Sequence, residues 1–263
     1  MDDMSDPFEE FTFRSSLDGS REPCLLWWPE TGKPPAALIV VLHTWSADRF
    51  NMGPKVVNHC RERGWALILP EFRGPNLTSN PRAREAGGSA LARRDIIDAT
   101  RQVLADRFDQ KPFLFLMGGS GGGHMSLQVA GREDFRWDAV SSWCPITDVA
   151  AWQGENPNYR AHIEAVCGGA PGDSPEIDAE YHERSPLHVA SSLAKCRLLL
   201  AHGREDRSVP YTHSWRMAQA IEACGPGEFY FSLFAGGHEL RHPVAFDFFD
   251  RTIETAQASE LTG

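Results

Sequence analysis

Residues 113–125 read Phe-Leu-Phe-Leu-Met-Gly-Gly-Ser-Gly-Gly-Gly-His-Met and hold the most informative pattern in the chain. The apolar run 113–117 has the length and composition of a buried strand, and residues 125–130 are mostly helix formers. Between them, residues 118–122 form a Gly-x-Ser-x-Gly sequence around Ser120. A strand, a tight glycine-rich turn with one serine, and a helix are together typical of a nucleophile elbow.

The glycines around Ser120 have a physical reason. A nucleophile on so tight a turn adopts unfavourable backbone angles, and its neighbours approach too closely for a Cβ atom. The following helix directs its N-terminal amides at the place where an oxyanion forms, and Gly121 supplies the first of them. A phosphate-binding loop is the alternative, but no Lys-Ser or Lys-Thr pair closes the glycine run. We therefore predict that Ser120 is a catalytic nucleophile.

Buried strands alternate with helices along most of the chain, which predicts a mostly parallel sheet covered by helices on both faces. The first strands alternate polar and apolar residues and fit an antiparallel edge. The predicted strands are 11–14, 24–28, 37–42, 65–69, 113–117, 139–144, 196–201 and 228–234. The predicted helices are 51–63, 89–108, 211–224, 243–256 and the one that follows Ser120.

We expect one domain over residues 1–263, because no linker divides the chain. The alternation of strands and helices breaks at residues 148–190, which are rich in Trp, Gly, Pro and His. We interpret this segment as a short lid-like insertion over the C-terminal edge of the sheet, where ligands bind in such folds.

Composition excludes several classes of protein. A net charge of -10 and a pI near 5.5 argue against binding to nucleic acid. No apolar run approaches the ~20 residues of a membrane span, and we expect no membrane association. The six cysteines are scattered without a Cys-x-x-Cys pair, which is typical of reduced thiols. Residues 1–7 lack the features of a signal peptide, so we expect a cytoplasmic protein.

With these motifs the chain resembles the α/β-hydrolases, and most closely the catalytic domain of the prolyl oligopeptidase and dienelactone hydrolase branch. The resemblance covers nearly the whole chain from about Pro23. It rests on the elbow, His43-Thr-Trp45, Phe72-Arg-Gly74, Asp95-Ile-Ile-Asp98-Ala, His202-Gly-Arg-Glu-Asp206-Arg-Ser-Val-Pro210 and Gly236-Gly-His238. It implies an α/β-hydrolase fold with a sheet of about eight strands, and a nucleophile, acid and histidine in that order along the chain.

A serine hydroxyl needs an adjacent base, and histidine has a suitable pKa. Of the ten histidines, His238 follows the last strand in a glycine-rich loop, and we predict that it is the base. His202 ends the preceding strand, and the resemblance implies a structural role for that position.

A carboxylate must orient the imidazole of His238. Asp206 follows the strand that ends at Ala201, and we predict that it is the acid. Asp148 is the main alternative, because some α/β-hydrolases place the acid after the strand that follows the elbow strand. Glu205, next to Asp206, is a weaker one.

The oxyanion requires a second backbone N–H besides that of Gly121, from the loop after strand 37–42. Trp45 is the first choice and Thr44 the second; relatives often carry glycine where this chain has Thr44. The residues proposed to bind substrate lie at the end of a strand, in the insertion and after the elbow; they are Trp143, Trp152, Tyr159 and His124. Simple packing is the alternative for each tryptophan.

These residues predict a serine hydrolase that cleaves carboxylic esters of small or medium substrates through an acyl-enzyme. The first alternative is a prolyl oligopeptidase-like peptidase, whose relatives usually carry an additional gating domain that we do not find in this chain. The second alternative is a catalytically inactive binding protein with the same fold. The histidines and carboxylates lack paired ligand spacing, so we expect no metal, and no dinucleotide-binding motif indicates a cofactor. A homo-oligomer is compatible with the sequence.

Overall fold

Eight strands form one sheet in the computed structural model, which describes residues 8–262. Residues 1–7, on which the expectation of no signal peptide rests, lie outside the described residues. The strands are β1 (Glu9–Arg14), β2 (Arg21–Trp27), β3 (Ala37–Leu42), β4 (Ala66–Pro70), β5 (Phe113–Gly119), β6 (Ala139–Trp143), β7 (Leu198–Gly203) and β8 (Phe229–Phe234).

The strand order is β1-β2-β4-β3-β5-β6-β7-β8. β1 pairs with β2, and β2 with β4, in antiparallel fashion, whereas the pairs from β4 to β8 are parallel. The prediction of about eight mostly parallel strands with an antiparallel edge is therefore confirmed. Because the strands from β3 onward are parallel, the loops that follow β3, β5, β6, β7 and β8 all meet at one edge of the sheet.

Helices cover both faces of the sheet. They are α1 (Gly53–Arg63), α2 (Ala90–Arg107), α3 (Gly121–Arg132), α4 (Val149–Glu155), α5 (Arg160–Cys167), α6 (Pro175–Glu183), α7 (Ala190–Leu193), α8 (Thr212–Glu222) and α9 (His242–Thr262). Short 3₁₀ turns occur at Ala83–Glu85 and Pro186–Val189. The Ser89 hydroxyl caps α2 by accepting a hydrogen bond from the Ala92 N–H at 3.1 Å, which explains why the predicted helix 89–108 is nearly correct.

β3 illustrates how the two faces are buried. Leu38 and Val40 point into the core that α2, α3 and α8 cover, and Ile39 and Val41 point into the core under α1 and α9. All four side chains are fully buried. Burying one such side chain contributes roughly 1.5–3 kcal/mol, so a continuous apolar run is stable only with helices on both sides.

The segment 148–190 is mainly helical and contains α4, α5 and α6. It forms a third apolar cluster of its own, in which Trp152, Ile163 and Tyr181 are buried together with Trp45 from the loop after β3. The segment therefore packs against the loop that follows β3 at the C-terminal edge of the sheet. Within the described part of the chain, no helix has the length and apolar character needed to cross a membrane.

Candidate active site

Ser120 lies between β5 and α3 in a strained backbone conformation, with φ 57° and ψ -122°. A positive φ is uncommon for a residue with a side chain and costs on the order of 1–3 kcal/mol. Two backbone hydrogen bonds hold the turn: the Ser120 N–H donates to Trp143 O at 2.8 Å, and the His124 N–H donates to Ser120 O at 2.9 Å. The turn therefore presents the serine hydroxyl at the edge of the sheet, at the start of a helix.

Two glycines of the elbow make this turn possible. A Cβ atom at Gly118 would lie 2.2 Å from the backbone of Gly122, and one at Gly122 would lie 2.3 Å from Leu42 O. Neither position has room for a side chain, because β5, α3 and the end of β3 are in backbone contact there. The Gly-x-Ser-x-Gly spacing is thus a packing requirement of the turn.

Asp206 and His238 are brought together by the loops after β7 and β8. Asp206 Oδ2 lies 2.6 Å from His238 Nδ1, which is a short charge-assisted hydrogen bond. Asp206 Oδ1 accepts hydrogen bonds from the Ser208 N–H at 2.8 Å and the Val209 N–H at 3.0 Å. The carboxylate is therefore fixed on one side by backbone amides and on the other side by the imidazole.

Burial alone would raise the pKa of the Asp206 carboxyl, but hydrogen bonds from His202, His238 and the Val209 N–H outweigh it. The net result is a pKa well below the ordinary value of an aspartate. Asp206 is thus negatively charged at neutral pH and can stabilise a protonated His238.

The competing residues lie in other surroundings. The His202 ring is buried, with Nδ1 2.7 Å from Ser214 Oγ and Nε2 2.9 Å from Val209 O, so it supports the loop that carries Asp206.

The alternative acids also have other surroundings. Asp148 caps α4 by accepting a hydrogen bond from the Ala151 N–H at 3.0 Å. Glu205 is exposed beside the buried Asp206. None of the three makes the contact with His238 that Asp206 makes.

The two amides expected to bind an oxyanion lie next to each other. A Cβ atom at Gly121 would lie 2.4 Å from the backbone nitrogen of Trp45. Within residues 8–262 neither N–H has a hydrogen-bond acceptor. Thr44, the second choice for this donor, has a carbonyl oxygen that accepts hydrogen bonds from the His43 ring and the Ala47 N–H. Thr44 also lines the cavity described next.

A cavity of about 160 Å³ opens beside Ser120. Its floor is the elbow and the end of β6, and its walls are the start of α1 and the loop after β8. The lining residues are Thr44, Met52, Lys55, Gly119, Ser120, Trp143, Cys144, His238, Glu239, Leu240 and His242. Ser120 and His238 thus line the same cavity.

Of the four residues predicted to bind substrate, Trp143 lines this cavity and the other three do not. Trp152 is only 1% exposed and packs edge-on against Trp45 at 5.0 Å between ring centroids. Tyr159 covers Trp152 from the other side, at 4.9 Å. His124 is fully buried, its Nε2 lies 2.7 Å from Arg184 O, and burial lowers its pKa to about 4. These three residues do not line this cavity, because the rings of Trp152 and Tyr159 pack against other rings and His124 is held by Arg184 O.

Sequence reasoning missed four residues of the cavity wall, which are Met52, Lys55, Leu240 and His242. A signal was available for the first two. They lie at the start of the helix after β3, and the N-termini of such helices adjoin the C-terminal edge of a parallel sheet. Leu240 and His242 follow His238 so closely in the chain that the same loop carries all three.

Three groups with metal-ligand chemistry lie close together at this edge: Cys144, His202 and Asp206 offer atoms within 4.8 Å of one another. The His202 ring nitrogens are already engaged by Ser214, Val209 and Asp206. Burial raises the pKa of the Cys144 thiol to about 12, so the thiol is protonated at neutral pH. The cluster is therefore best explained as the support of the Asp206 loop.

Comparison with known proteins gives consistent results. The sequence profile of the prolyl oligopeptidase family (peptidase S9) matches residues 57–245. The chain is 26% identical over 242 residues to the uncharacterized peptidase y4nA of Sinorhizobium fredii, covering 85% of this chain and 31% of that protein. It is 28% identical over 166 residues to the acylamino-acid-releasing enzyme of Homo sapiens, covering 60% of this chain and 22% of that enzyme.

Solved structures share the fold. The acylaminoacyl peptidase of Pyrococcus horikoshii superposes with a TM-score of 0.75 at 20% identity, covering 94% of this chain and 42% of that one. A puromycin-hydrolyzing peptidase of Mycobacterium tuberculosis gives a TM-score of 0.72 at 22% identity, with 95% and 40% coverage. At these identities the likeness shows the α/β-hydrolase fold alone. The chain spans less than half the length of each of these four proteins.

Proposed function

Because the chain belongs to the prolyl oligopeptidase family and is a serine hydrolase of that family, we propose that it is a peptidase that cleaves amide bonds in short acylated peptides. Its relatives in sequence and structure are named as peptidases, acylaminoacyl peptidases among them. These names support the peptidase alternative over the ester preference that the sequence suggested.

The observation that supports a catalytic role is the 2.6 Å contact between Asp206 and His238 beside the cavity that Ser120 and His238 line, whereas the choice of amide substrates rests on the named relatives. An inactive hydrolase-fold binding protein has no need for a buried aspartate fixed against an imidazole, or for a serine held at a positive φ. The strain at Ser120 has a reason when its hydroxyl must face a substrate.

In this mechanism Ser120 Oγ attacks the carbonyl carbon while His238 Nε2 accepts the hydroxyl proton. Asp206 keeps the Nδ1–H tautomer of His238 and stabilises its charged form. The amides of Gly121 and Trp45 donate to the oxyanion of the tetrahedral intermediate. His238 then gives the proton to the leaving amine, the C–N bond breaks, and an acyl-enzyme forms. Water, activated by the same imidazole, releases the acid and regenerates Ser120.

The test compares matched amides and esters. N-acetyl dipeptides, free dipeptides and p-nitrophenyl acyl esters are assayed with the wild-type protein and with Ser120→Ala. We expect turnover of the acetylated peptides that falls by roughly 10³-fold or more in Ser120→Ala, while the thermal unfolding temperature stays close to that of the wild type. Ester turnover without any amide turnover would instead establish an esterase, and activity retained in folded Ser120→Ala would refute the mechanism.

A further inference from the structure

The cavity beside Ser120 has the lining expected on the leaving-group side of the nucleophile. His238 forms part of its wall, and the leaving group must take its proton from His238. Gly121 and Trp45, which carry the proposed oxyanion amides, do not line it. If Ser120 and His238 act as proposed above, the group in this cavity is the one released first.

The size of the cavity restricts that group. Its volume of about 160 Å³ is well below the ~300 Å³ at which pockets for drug-sized ligands begin. It is close to the ~150 Å³ that accommodates a benzene molecule. A single amino-acid residue fits such a space, and a longer leaving group would have to extend out of the cavity into solvent.

The charges around the cavity are unequal. Lys55 makes no ion pair within the part of the chain that the structure describes. The carboxylate of Glu239 is engaged by Arg241, with Oε1 2.8 Å from Nη2. Burial lowers the pKa of His242 to about 4, and Coulombic interactions with His59 and Lys55 add to that effect, so the His242 imidazole is neutral at neutral pH. Lys55 is therefore the uncompensated charge on the wall.

His242 adds a second polar group without a partner. Its Nε2 atom is buried and has no hydrogen bond within the described residues. A buried ring nitrogen without a partner is costly. The wall opposite the insertion thus combines one lone cation with one unsatisfied neutral imidazole.

We propose that this cavity is a leaving-group subsite for a single amino-acid residue with a free α-carboxylate, and that Lys55 is its counter-ion. A free α-carboxyl group has a pKa of about 3.5 and is ionised at neutral pH. The enzyme then releases the C-terminal residue of short acylated peptides. The inference rests on the proposed function, because it requires attack by Ser120.

The experiment uses N-acetyl-Phe-Ala and its neutral carboxamide, N-acetyl-Phe-Ala-NH₂, which differ only in the charge at the C-terminus. Release of N-acetyl-Phe is measured by chromatography and mass spectrometry. For the wild type we expect kcat/KM to be on the order of 5-fold higher for the free acid, as for one partly exposed ion pair. The preference should shrink toward unity at about 1 M salt, where charges are screened within a few ångströms.

Variants assign the preference to one side chain. In Lys55→Met the ratio of the two kcat/KM values should fall to about 1, in Lys55→Glu it should reverse, and in Lys55→Arg it should persist. Lys111→Met is the matched control, because Lys111 is an exposed lysine that lines a different cavity. Thermal unfolding establishes that each variant is folded.

The outcomes separate the subsite from the chemistry. Equal turnover of acid and carboxamide by the wild type, or an unchanged ratio in Lys55→Met, overturns the subsite and leaves the peptidase proposal intact. A change in Lys111→Met equal to that in Lys55→Met also overturns it. Absence of turnover of both substrates by the wild type contradicts the proposed function and this inference with it.

Discussion

The two sides of Ser120 differ in what their side chains do. On the insertion side, Trp45 and Trp152 pack edge to face and are almost fully buried, and Tyr159 packs against Trp152. On the other side, the start of α1 and the loop after β8 leave an open cavity with an unpaired Lys55, within the residues that the structure describes. The aromatic residues of the insertion are therefore no guide to the cavity wall, because their rings pack against one another, whereas Trp143 at the end of β6 does line the cavity.

The physical difference is one of burial. A tryptophan buries roughly 150–250 Å² of surface, so it contributes most where other apolar groups enclose it. A substrate wall must instead remain partly hydrated before binding. The comparison predicts that changes on the insertion side alter stability, and that changes on the cavity side alter substrate choice.

The largest expected effect is the loss of kcat in Asp206→Asn, compared with the same substitution at Asp148 in the insertion. Asp206→Asn should lower kcat by about 10⁴-fold, because an asparagine favours the wrong imidazole tautomer of His238. Asp148→Asn is the matched control and should change kcat little, because asparagine caps a helix as well as aspartate does. Steady-state kinetics on one acylated peptide measures both. The opposite ranking would move the catalytic acid to the insertion.

The next largest effect should be the loss of stability in Trp152→Ala. Removal of a fully buried indole costs about 3–5 kcal/mol in the free energy of unfolding. The ratio of kcat/KM values for two leaving groups should stay unchanged, since the Trp152 side chain does not line the cavity. Urea unfolding followed by fluorescence measures the first quantity. A stable variant with altered leaving-group preference would break the comparison.

Leu240→Ala tests the opposite wall. Leu240 lines the cavity and is only partly buried, so its truncation should cost little stability. It should change kcat/KM by about 10-fold between leaving residues of different size, in line with the loss of apolar contact. The measurement is a series of acetylated dipeptides that differ only in the second residue. Equal effects across the series would mean that the wall does not contact the leaving group.

The smallest effect concerns the attachment of the insertion. Glu155 in α4 lies 2.8 Å from His213 Nε2 in α8, and this hydrogen bond holds the pKa of Glu155 below its ordinary value. A lowered folded-state pKa stabilises the protein above the unfolded pKa of about 4.3, and that contribution is lost as the pH falls below it. The loss in unfolding free energy between pH 6 and pH 3 should be smaller in Glu155→Gln than in the wild type. Equal losses would show that this contact is not pH-linked.

Much of the fold was predictable because it depends on local pattern. The apolar run of β3 and the Gly-x-Ser-x-Gly sequence around Ser120 are each recognisable from a short stretch of the chain, and the sheet followed from such stretches. The contact of Asp206 with His238 was also foreseen, although those residues lie far apart, because two parallel strands end at the same edge.

The pocket was not predictable in the same way. Whether Trp152 faces a ligand or another indole depends on side-chain direction in a segment without periodic constraint. In the sequence alone Lys55 is an ordinary surface lysine, and only the structure shows that it lines a cavity together with the loop after β8. The predicted preference for esters depended on the absence of a gating domain. That absence is not informative, because the chain spans less than half the length of its relatives.

The most direct test of the account is covalent labelling of the nucleophile. The wild-type protein, Ser120→Ala and Asp206→Asn are treated with a fluorophosphonate, digested, and analysed by peptide mass spectrometry. We expect one adduct, on the peptide that contains Ser120, which is absent in Ser120→Ala and forms much more slowly in Asp206→Asn. No adduct on folded wild-type protein, or an adduct at another serine that persists in Ser120→Ala, would contradict it.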